Sequence, residues 1–236
     1  MMEIKLILLQ VIAHLLADFV FQPQRWSDKK EGKVFTSIHI YHVFIVGILS
    51  YVLSFDFGFW KAALILTVVH VLIDMLKSRL VLNSKSKNYF FFDQFIHLIS
   101  IVAVVLAYAY YGDINFIFPV ELKPVAVIAG FIFCAKPSNI VIKYMFKTFS
   151  IETPQENPDN PKDISLPNAG KLIGITERFL ALALIIMGQY GAVGLIIAAK
   201  SILRFNGTQK SEYVLVGTLL SFSLAAFSGI LISLIK

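Results

Sequence analysis

Long apolar stretches separated by short polar runs dominate the chain, and they predict membrane-spanning helices. A helix needs roughly 20 mostly apolar residues to cross a hydrocarbon core of about 30 Å, and seven stretches approach or exceed that length. They lie at 4–22, 38–56, 60–80, 91–112, 120–148, 172–199 and 213–235. The pattern therefore predicts an all-α fold, a polytopic membrane helix bundle of about seven transmembrane segments.

Composition agrees with lipid as the surrounding solvent. Hydrophobic residues make up 57% of the 236 residues and charged residues only 15%, against roughly a quarter charged in soluble domains. The single cysteine, Cys134, excludes an internal disulfide and any multi-cysteine metal site. Little chain remains for a soluble domain. We therefore expect one composite membrane domain, with a four-helix bundle over 1–112 and further helices over 113–236.

Lysine and arginine are concentrated in the first, third and fifth connections between the apolar stretches. The positive-inside rule makes those connections cytoplasmic and places the N-terminus outside. The net charge of +6 follows largely from these connections. We therefore expect membrane lipid as a partner and do not expect nucleic acid, while the oligomeric state stays open.

Two of the later segments contain residues that interrupt helices. Pro137 disfavours a continuous helix and predicts a kink or break in the fifth segment. The sixth segment contains Gly188, and residues 172–205 can form either one helix or a hairpin. The hairpin agrees better with the charge rule, because it brings Lys200 and Arg204 to the cytoplasmic side, but both alternatives stay open.

Each of the first four segments carries two histidine or aspartate residues about one helical turn apart. Separations of three or four residues put both members of a pair on one face of a helix. The pairs lie late in segments one and three and early in segments two and four, so all eight side chains are expected near one membrane face, the cytoplasmic one. The pairs are His14 and Asp18, His39 and His42, His70 and Asp74, and Asp93 and His97.

A shared polar cavity explains these pairs better than four independent accidents. An aspartate near the centre of a membrane helix costs roughly 2.5–3.5 kcal/mol even on the lenient insertion scale. Imidazole and carboxylate groups bind divalent ions, zinc first and manganese or iron as alternatives, and helix bundles build metal sites from such inward-facing pairs. A proton or ion pathway and structural hydrogen bonding stay open, whereas haem would not call for the aspartates. Asp56, expected in an exposed loop, should matter far less than Asp18 or Asp74.

A bound metal would also supply chemistry, because it activates water for attack on a phosphoester or amide bond. On this hypothesis the candidate catalytic residues are Asp18, Asp74, Glu177 and Arg178. Basic side chains nearby would capture an anionic lipid head group or a phosphorylated substrate, although ordinary positive-inside anchoring explains most such residues. The candidates for substrate binding are Lys77, Arg79, Lys136, Lys200 and Arg204.

Taken together, the motifs resemble the bacterial membrane proteins of domain-of-unknown-function family 3307. The resemblance covers roughly the first 110 residues and is carried by His14-Leu15-Leu16-Ala17-Asp18-Phe19 with Gln22, by His39 and His42, by His70 to Asp74 with Lys77, and by Phe92-Asp93-Gln94 with His97. Later motifs, Lys136-Pro137-Ser138-Asn139, Gly170-Lys171-Leu172-Ile173-Gly174 leading to Glu177-Arg178, and Ala199-Lys200-Ser201 with Arg204-Phe205, are similar to a C-terminal extension of such proteins.

The resemblance implies a location in the bacterial inner membrane and brings no established activity. Three functional hypotheses therefore remain from the residues: a metal-dependent hydrolase acting at the cytoplasmic leaflet, a proton- or ion-coupled transporter or channel that uses the His/Asp array, and a noncatalytic membrane scaffold or sensor.

Overall fold

Helices make up nearly all of the described chain, as the apolar pattern predicts. The computed structural model describes residues 1–22, 37–83, 89–151, 169–204 and 210–235, and these residues contain no strand. The prediction of an all-α fold is confirmed. The chain divides into two units, Met1–Ala129 and Gly130–Lys236.

Four helices form an antiparallel bundle in the first unit. They are α1 (Met2–Leu15), α2 (Ser37–Val52), α3 (Trp60–Asn83) and α4 (Tyr89–Tyr111). Helices α1 and α3 each pack against both α2 and α4. Each helix therefore turns one face towards a common interior, and the polar pairs of the sequence lie on these faces.

A π-helical turn, Leu16–Val20, continues α1. Its widened backbone is visible where the amide of Phe21 donates to the carbonyl of Leu16 at 2.8 Å, five residues earlier. Such turns occur frequently at functional sites. Asp18 lies in the middle of this one, so its position differs from the one that a regular α-helix would give.

The interior of the first unit changes from apolar to polar along the bundle. A layer of buried apolar side chains fills one end, formed by Leu6, Phe59, Ala62, Ala63, Leu66, Ile101, Val105 and Ile114. One turn further along α1, Gln10 exchanges two hydrogen bonds with Ser50: Gln10 Nε2 donates to the Ser50 carbonyl at 2.9 Å, and Ser50 Oγ donates to Gln10 Oε1 at 2.6 Å. The next turn of α1 carries His14, where the histidine layer begins.

Asp56 is buried, so the expectation of an exposed loop at this residue was wrong. It is only 4% exposed. Its Oδ2 accepts hydrogen bonds from Tyr108 Oη at 2.9 Å and from the amide of Asn115 at 3.0 Å, while Oδ1 accepts from the amide of Gly58 at 2.8 Å. The connection before α3 is fixed by these bonds, which makes Asp56 unsuitable as a neutral reference for mutations in the bundle.

Helix length supports a membrane protein but not the full predicted number of spans. Among the described residues, Phe57–Arg79, Tyr89–Tyr111 and Tyr213–Ser233 are long and apolar enough to cross a bilayer, and a bent pair of helices adds a fourth candidate if it counts as one span. Other apolar helices are shorter, including His39–Val52 and Tyr190–Ile202. The predicted count of seven is therefore not established, since several apolar segments fold as helices shorter than a full crossing.

The second unit contains the predicted break and resolves the open choice between helix and hairpin. Its helices are α5 (Leu122–Cys134, which begins in the first unit), α6 (Lys136–Thr148), α7 (Ala169–Ile186), α8 (Tyr190–Arg204) and α9 (Lys210–Ser233). Helices α5 and α6 meet at an angle of 49°, at the residues before Pro137.

Gly188 adopts a φ of 74° between α7 and α8, and an ion pair between Glu177 and Lys200 joins these two helices. The described part of this segment, 172–204, therefore forms a hairpin.

Candidate metal centre

Three ligand-type atoms from three elements form a nearly equilateral triangle inside the first unit. Asp18 Oδ1 lies 3.3 Å from His42 Nε2 and 3.3 Å from His70 Nε2. The two histidine nitrogens are 3.0 Å apart. His42 and His70 are buried, at 2% and 5% exposure. The π turn, α2 and α3 thus each contribute one side chain to a single small volume.

These distances match the edges of a metal coordination shell. With metal–ligand bonds of about 2.0–2.1 Å, neighbouring ligand atoms are about 3.3–3.4 Å apart in a tetrahedral site and about 2.8–3.0 Å apart in an octahedral one. Hydrogen bonds alone cannot join all three pairs of atoms in the triangle. Each Nε2 carries at most one proton, so an ionised Asp18 and two neutral imidazoles can make at most two hydrogen bonds along its three edges.

Asp74 extends the triangle towards α4. It follows His70 by one turn of α3, and its Oδ2 lies 3.8 Å from His42 Nε2. Its other oxygen, Oδ1, lies 3.9 Å from His97 Nε2. The two oxygens of one carboxylate therefore face histidines on different helices.

His14 is oriented by a residue of α4. The side-chain amide of Gln94 donates from Nε2 to Asp93 Oδ2 at 3.2 Å, which leaves its Oε1 to accept from His14 Nε2 at 3.1 Å. With the proton on Nε2, the lone pair of His14 lies on Nδ1, and this atom is 3.8 Å from Asp18 Oδ2. Gln94 thereby presents His14 to the cluster in the protonation form that binds a metal.

His97 has the complementary arrangement. Its Nδ1 donates to the carbonyl of Asp93 at 2.9 Å, so its lone pair lies on Nε2, which points towards Asp74. A hydrogen bond from the second nitrogen to a carbonyl is how metal-binding histidines are commonly held. The imidazole is 1% exposed, and its ring centre lies 4.3 Å from that of His70.

Seven of the eight predicted ligands converge in this cluster. Within the described part of the chain, His14, Asp18, His42, His70, Asp74, Asp93 and His97 form overlapping groups of three whose ligand atoms lie within 4.8 Å of one another. His39 is buried as well, at 3% exposure, but it belongs to none of these groups. The rings of His14 and His70 are 5.6 Å apart between centroids, well inside the distance that a shared site requires.

Several atoms of the cluster have no hydrogen-bond partner among the described residues, although they are buried. They are His14 Nδ1, Asp18 Oδ1, His42 Nδ1, Asp93 Oδ1 and His97 Nε2. A buried polar atom without a partner costs about 1–3 kcal/mol, so native proteins rarely keep several together. These His/Asp groups could hold a metal ion, which would give most of them a partner.

A small cavity with a mostly apolar surface adjoins the histidines on the side of the apolar layer. Its volume is about 30 Å³, enough for a single water molecule. The four bundle helices line it with Gln10, Ala13, His14, Val46, Ser50, Leu66, His70, His97, Ser100 and Ile101. A water molecule in this cavity would contact the imidazoles directly.

Of the described basic residues, Lys77 pairs with a carboxylate of the cluster. Its Nζ lies 2.7 Å from Asp93 Oδ2. The carboxylate is buried, whereas 38% of the lysine side chain is exposed. Lys77 therefore pairs with a buried carboxylate while part of its side chain reaches the surface of the bundle.

Glu177 and Arg178 lie in the second unit, where each has partners. Glu177 pairs with Lys200. Arg178 is 1% exposed, and its guanidinium donates to the carbonyls of Cys134 and Ala135, to Asn139 Oδ1 and to Ser221 Oγ, at 2.7–3.2 Å. One of these acceptors, the carbonyl of Cys134, lies in the last turn of α5, where carbonyls have no partner within the helix. The contacts give Arg178 a structural role at the break, and its predicted catalytic role remains a prediction.

The other predicted substrate-binding residues are placed less specifically. Arg79 is exposed at the end of α3. Lys136 is partly buried at the start of α6. The side chain of Arg204 lies outside the described residues.

Sequence patterns missed two contributors to the cluster. The spacing of the His/Asp pairs predicts no role for Gln94, although an amide side chain inside an apolar segment is itself a signal of an interior hydrogen bond. The π turn around Asp18 has no such signal, because its residues Leu16–Val20 suit a regular helix equally well.

Comparison with known proteins adds a family and no activity. The model of the family described as "Protein of unknown function (DUF3307)" matches residues 6–122. No match was found among curated proteins or among solved structures.

Proposed function

Through residues 6–122 the chain belongs to the DUF3307 family, and we propose that it is an integral membrane protein that binds one divalent metal ion, zinc first among the candidates. The triangle of Asp18 Oδ1, His42 Nε2 and His70 Nε2 carries this proposal, because its edges of 3.0–3.3 Å suit ligands of one ion. Asp74 is the fourth ligand. An Asp₂His₂ set also suits manganese or iron.

Charge balance supports a single ion. Among the described residues, the cluster contains three carboxylates, those of Asp18, Asp74 and Asp93, and one ammonium, that of Lys77. With neutral imidazoles these groups carry two negative charges in a buried environment. One divalent cation neutralises them, which removes the cost of leaving unbalanced charge inside the bundle.

A hydrolytic reaction is the chemistry that follows most directly. A divalent ion lowers the pKa of bound water towards neutrality and so supplies a nucleophile. Asp18 and Asp74 would hold the ion, and His14 would accept or return a proton through Nδ1. The exposed part of Lys77 would attract the phosphate of a phosphorylated or lipidic substrate. By the positive-inside rule this reaction would take place at the cytoplasmic leaflet of the inner membrane.

Ion transport through the first unit has less support. A conducting path needs polar groups or water along its length. The interior beyond Gln10 is filled by the apolar layer of the bundle, which includes Leu6, Phe59 and Val105, each 0% exposed. The His/Asp array is therefore closed on that side and resembles a site more than a pathway.

Metal content tests this proposal directly. Protein purified in detergent without chelator, and protein incubated with zinc, manganese or iron and then dialysed, is expected to retain about one equivalent of metal per chain. Elemental analysis gives the amount. Less than about a tenth of an equivalent under all these conditions would contradict the proposal.

Hydrolysis needs a separate assay. The metal-loaded protein would be tested against phosphorylated lipids and lipid esters, with chelator-treated protein as the blank. We expect turnover to depend on added metal and to disappear in His70→Ala. A full equivalent of bound metal without turnover on any substrate would support a noncatalytic scaffold or sensor instead.

A further inference from the structure

We propose that the cluster contains a second divalent-cation site, formed by Asp74, Asp93 and His97, and that Lys77 limits its occupancy. This inference rests on the proposed function, because the first ion would share Asp74 with the second. In the native protein the second site would fill only at high cation concentration.

Asp74 lies between the two proposed sites. Its Oδ2 faces His42 at 3.8 Å and its Oδ1 faces His97 at 3.9 Å. A carboxylate with its oxygens turned to two ligand groups is the usual bridge in two-metal centres, where the ions are about 3.5–4 Å apart. The groups around Asp74 thus divide into two ligand sets with one shared member.

The other two ligands, Asp93 and His97, each have a buried acceptor atom that no donor satisfies within the described residues. These atoms are Asp93 Oδ1 and His97 Nε2. His97 Nδ1 donates to the carbonyl of Asp93, which leaves the Nε2 lone pair for a cation. Asp93 and His97 are one turn apart on α4, so a small rotation of either side chain brings both to one ion.

The ammonium of Lys77 supplies positive charge beside Asp93, where the second cation would otherwise supply it. Its Nζ binds Asp93 Oδ2 at 2.7 Å, and it follows Asp74 by one turn of α3. With Lys77 in place, two divalent ions would leave two excess positive charges in the cluster. Without the lysine the excess falls to one, which a hydroxide bridging the ions would neutralise. The lysine therefore favours occupancy by one ion.

The exposed stem of Lys77 allows it to leave. Because 38% of its side chain is accessible, the ammonium can move outward into a polar environment, and the incoming cation would replace its charge beside the buried carboxylate of Asp93. An anionic substrate that attracts Lys77 would release Asp93 and admit the second ion. Lys77 would then link substrate capture with assembly of a two-metal centre.

Manganese binding tests the inference, with Mn²⁺ alone as the probe. Stoichiometry and affinity would be measured by equilibrium dialysis, and the distance between ions by electron paramagnetic resonance, for the native protein and for Lys77→Met. We expect one tight equivalent in both and a second equivalent whose affinity is at least about tenfold higher in Lys77→Met, since the repulsion between cations a few ångströms apart has been removed. The second ion should show spin coupling to the first.

Three further variants complete the design. Arg79→Met removes an exposed cation from the same helix and should leave the second affinity unchanged. His97→Ala in the Lys77→Met background should abolish the second equivalent and keep the first. Lys77→Gln replaces Lys77→Met if the latter does not fold.

The outcomes separate this inference from the proposed function. If the native protein binds no manganese, zinc or iron, the metal proposal fails and the second site with it. If it binds one equivalent and both Lys77 variants also stop at one at millimolar Mn²⁺, the second site is refuted while the first stands. Two equivalents of equal affinity in the native protein would refute the role of Lys77.

Discussion

Asp18→Asn should weaken metal binding by at least about 100-fold, because it replaces by a neutral amide the carboxylate whose Oδ1 lies 3.3 Å from both His42 Nε2 and His70 Nε2. The substitution keeps the shape of the side chain and removes its charge. Metal affinity can be measured by competition with a chromophoric chelator. Added metal should also raise the melting temperature of the native protein, as expected for a ligand that binds only the folded state, and should leave the melting temperature of the variant nearly unchanged.

The matched control for this experiment is Asp113→Asn, since Asp113 is an exposed aspartate of the same unit. It should bind metal like the native protein. Asp56→Asn is unsuitable, because Asp56 is buried and accepts three hydrogen bonds. An Asp18→Asn variant that folds and binds metal as tightly as the Asp113→Asn control would exclude Asp18 as a ligand.

Arg178→Met should lower the stability of the second unit by about 1–3 kcal/mol, the usual cost of leaving a buried acceptor without its hydrogen bond. The guanidinium makes four hydrogen bonds, two of them to the carbonyls of Cys134 and Ala135 at the break between α5 and α6. Methionine fills a similar volume and cannot donate to either carbonyl. Folding in detergent can be followed by thermal unfolding and by the yield of monodisperse protein.

Arg178→Lys separates a structural role from a catalytic one. Lysine keeps the charge but not the planar fork that reaches several acceptors, so it should restore only part of the stability. If instead Arg178→Met folds as stably as the native protein and loses hydrolytic turnover alone, Arg178 has the catalytic role predicted from its position in the sequence.

The convergence of the polar pairs could be predicted from sequence because it depends on two simple properties. The spacing of His70 and Asp74 puts both on one face of a helix, and alternating helix directions put His97 at the same depth as His14. Burial of such residues in an apolar bundle then requires mutual contact. The break before Pro137 was predictable for a similarly local reason, since proline lacks an amide hydrogen and clashes with the preceding turn.

Other features depend on contacts that no local pattern encodes. Asp56 is buried because Tyr108 and Asn115, more than 50 residues later, donate to it. The tautomer of His14 depends on Gln94, on another helix. Hydropathy alone does not establish the number of full-length spans either, because it measures apolar composition and does not show where a helix ends, as at Gly188.

An anomalous-scattering map of the metal-loaded protein, measured at the absorption edge of the bound ion, tests the central claim most directly. We expect one strong peak inside the four-helix bundle, about 2.0–2.2 Å from Asp18 Oδ1, His42 Nε2 and His70 Nε2. A map from metal-replete crystals with no peak in the bundle, or with the peak on exposed residues while these three atoms contact only one another, would contradict it.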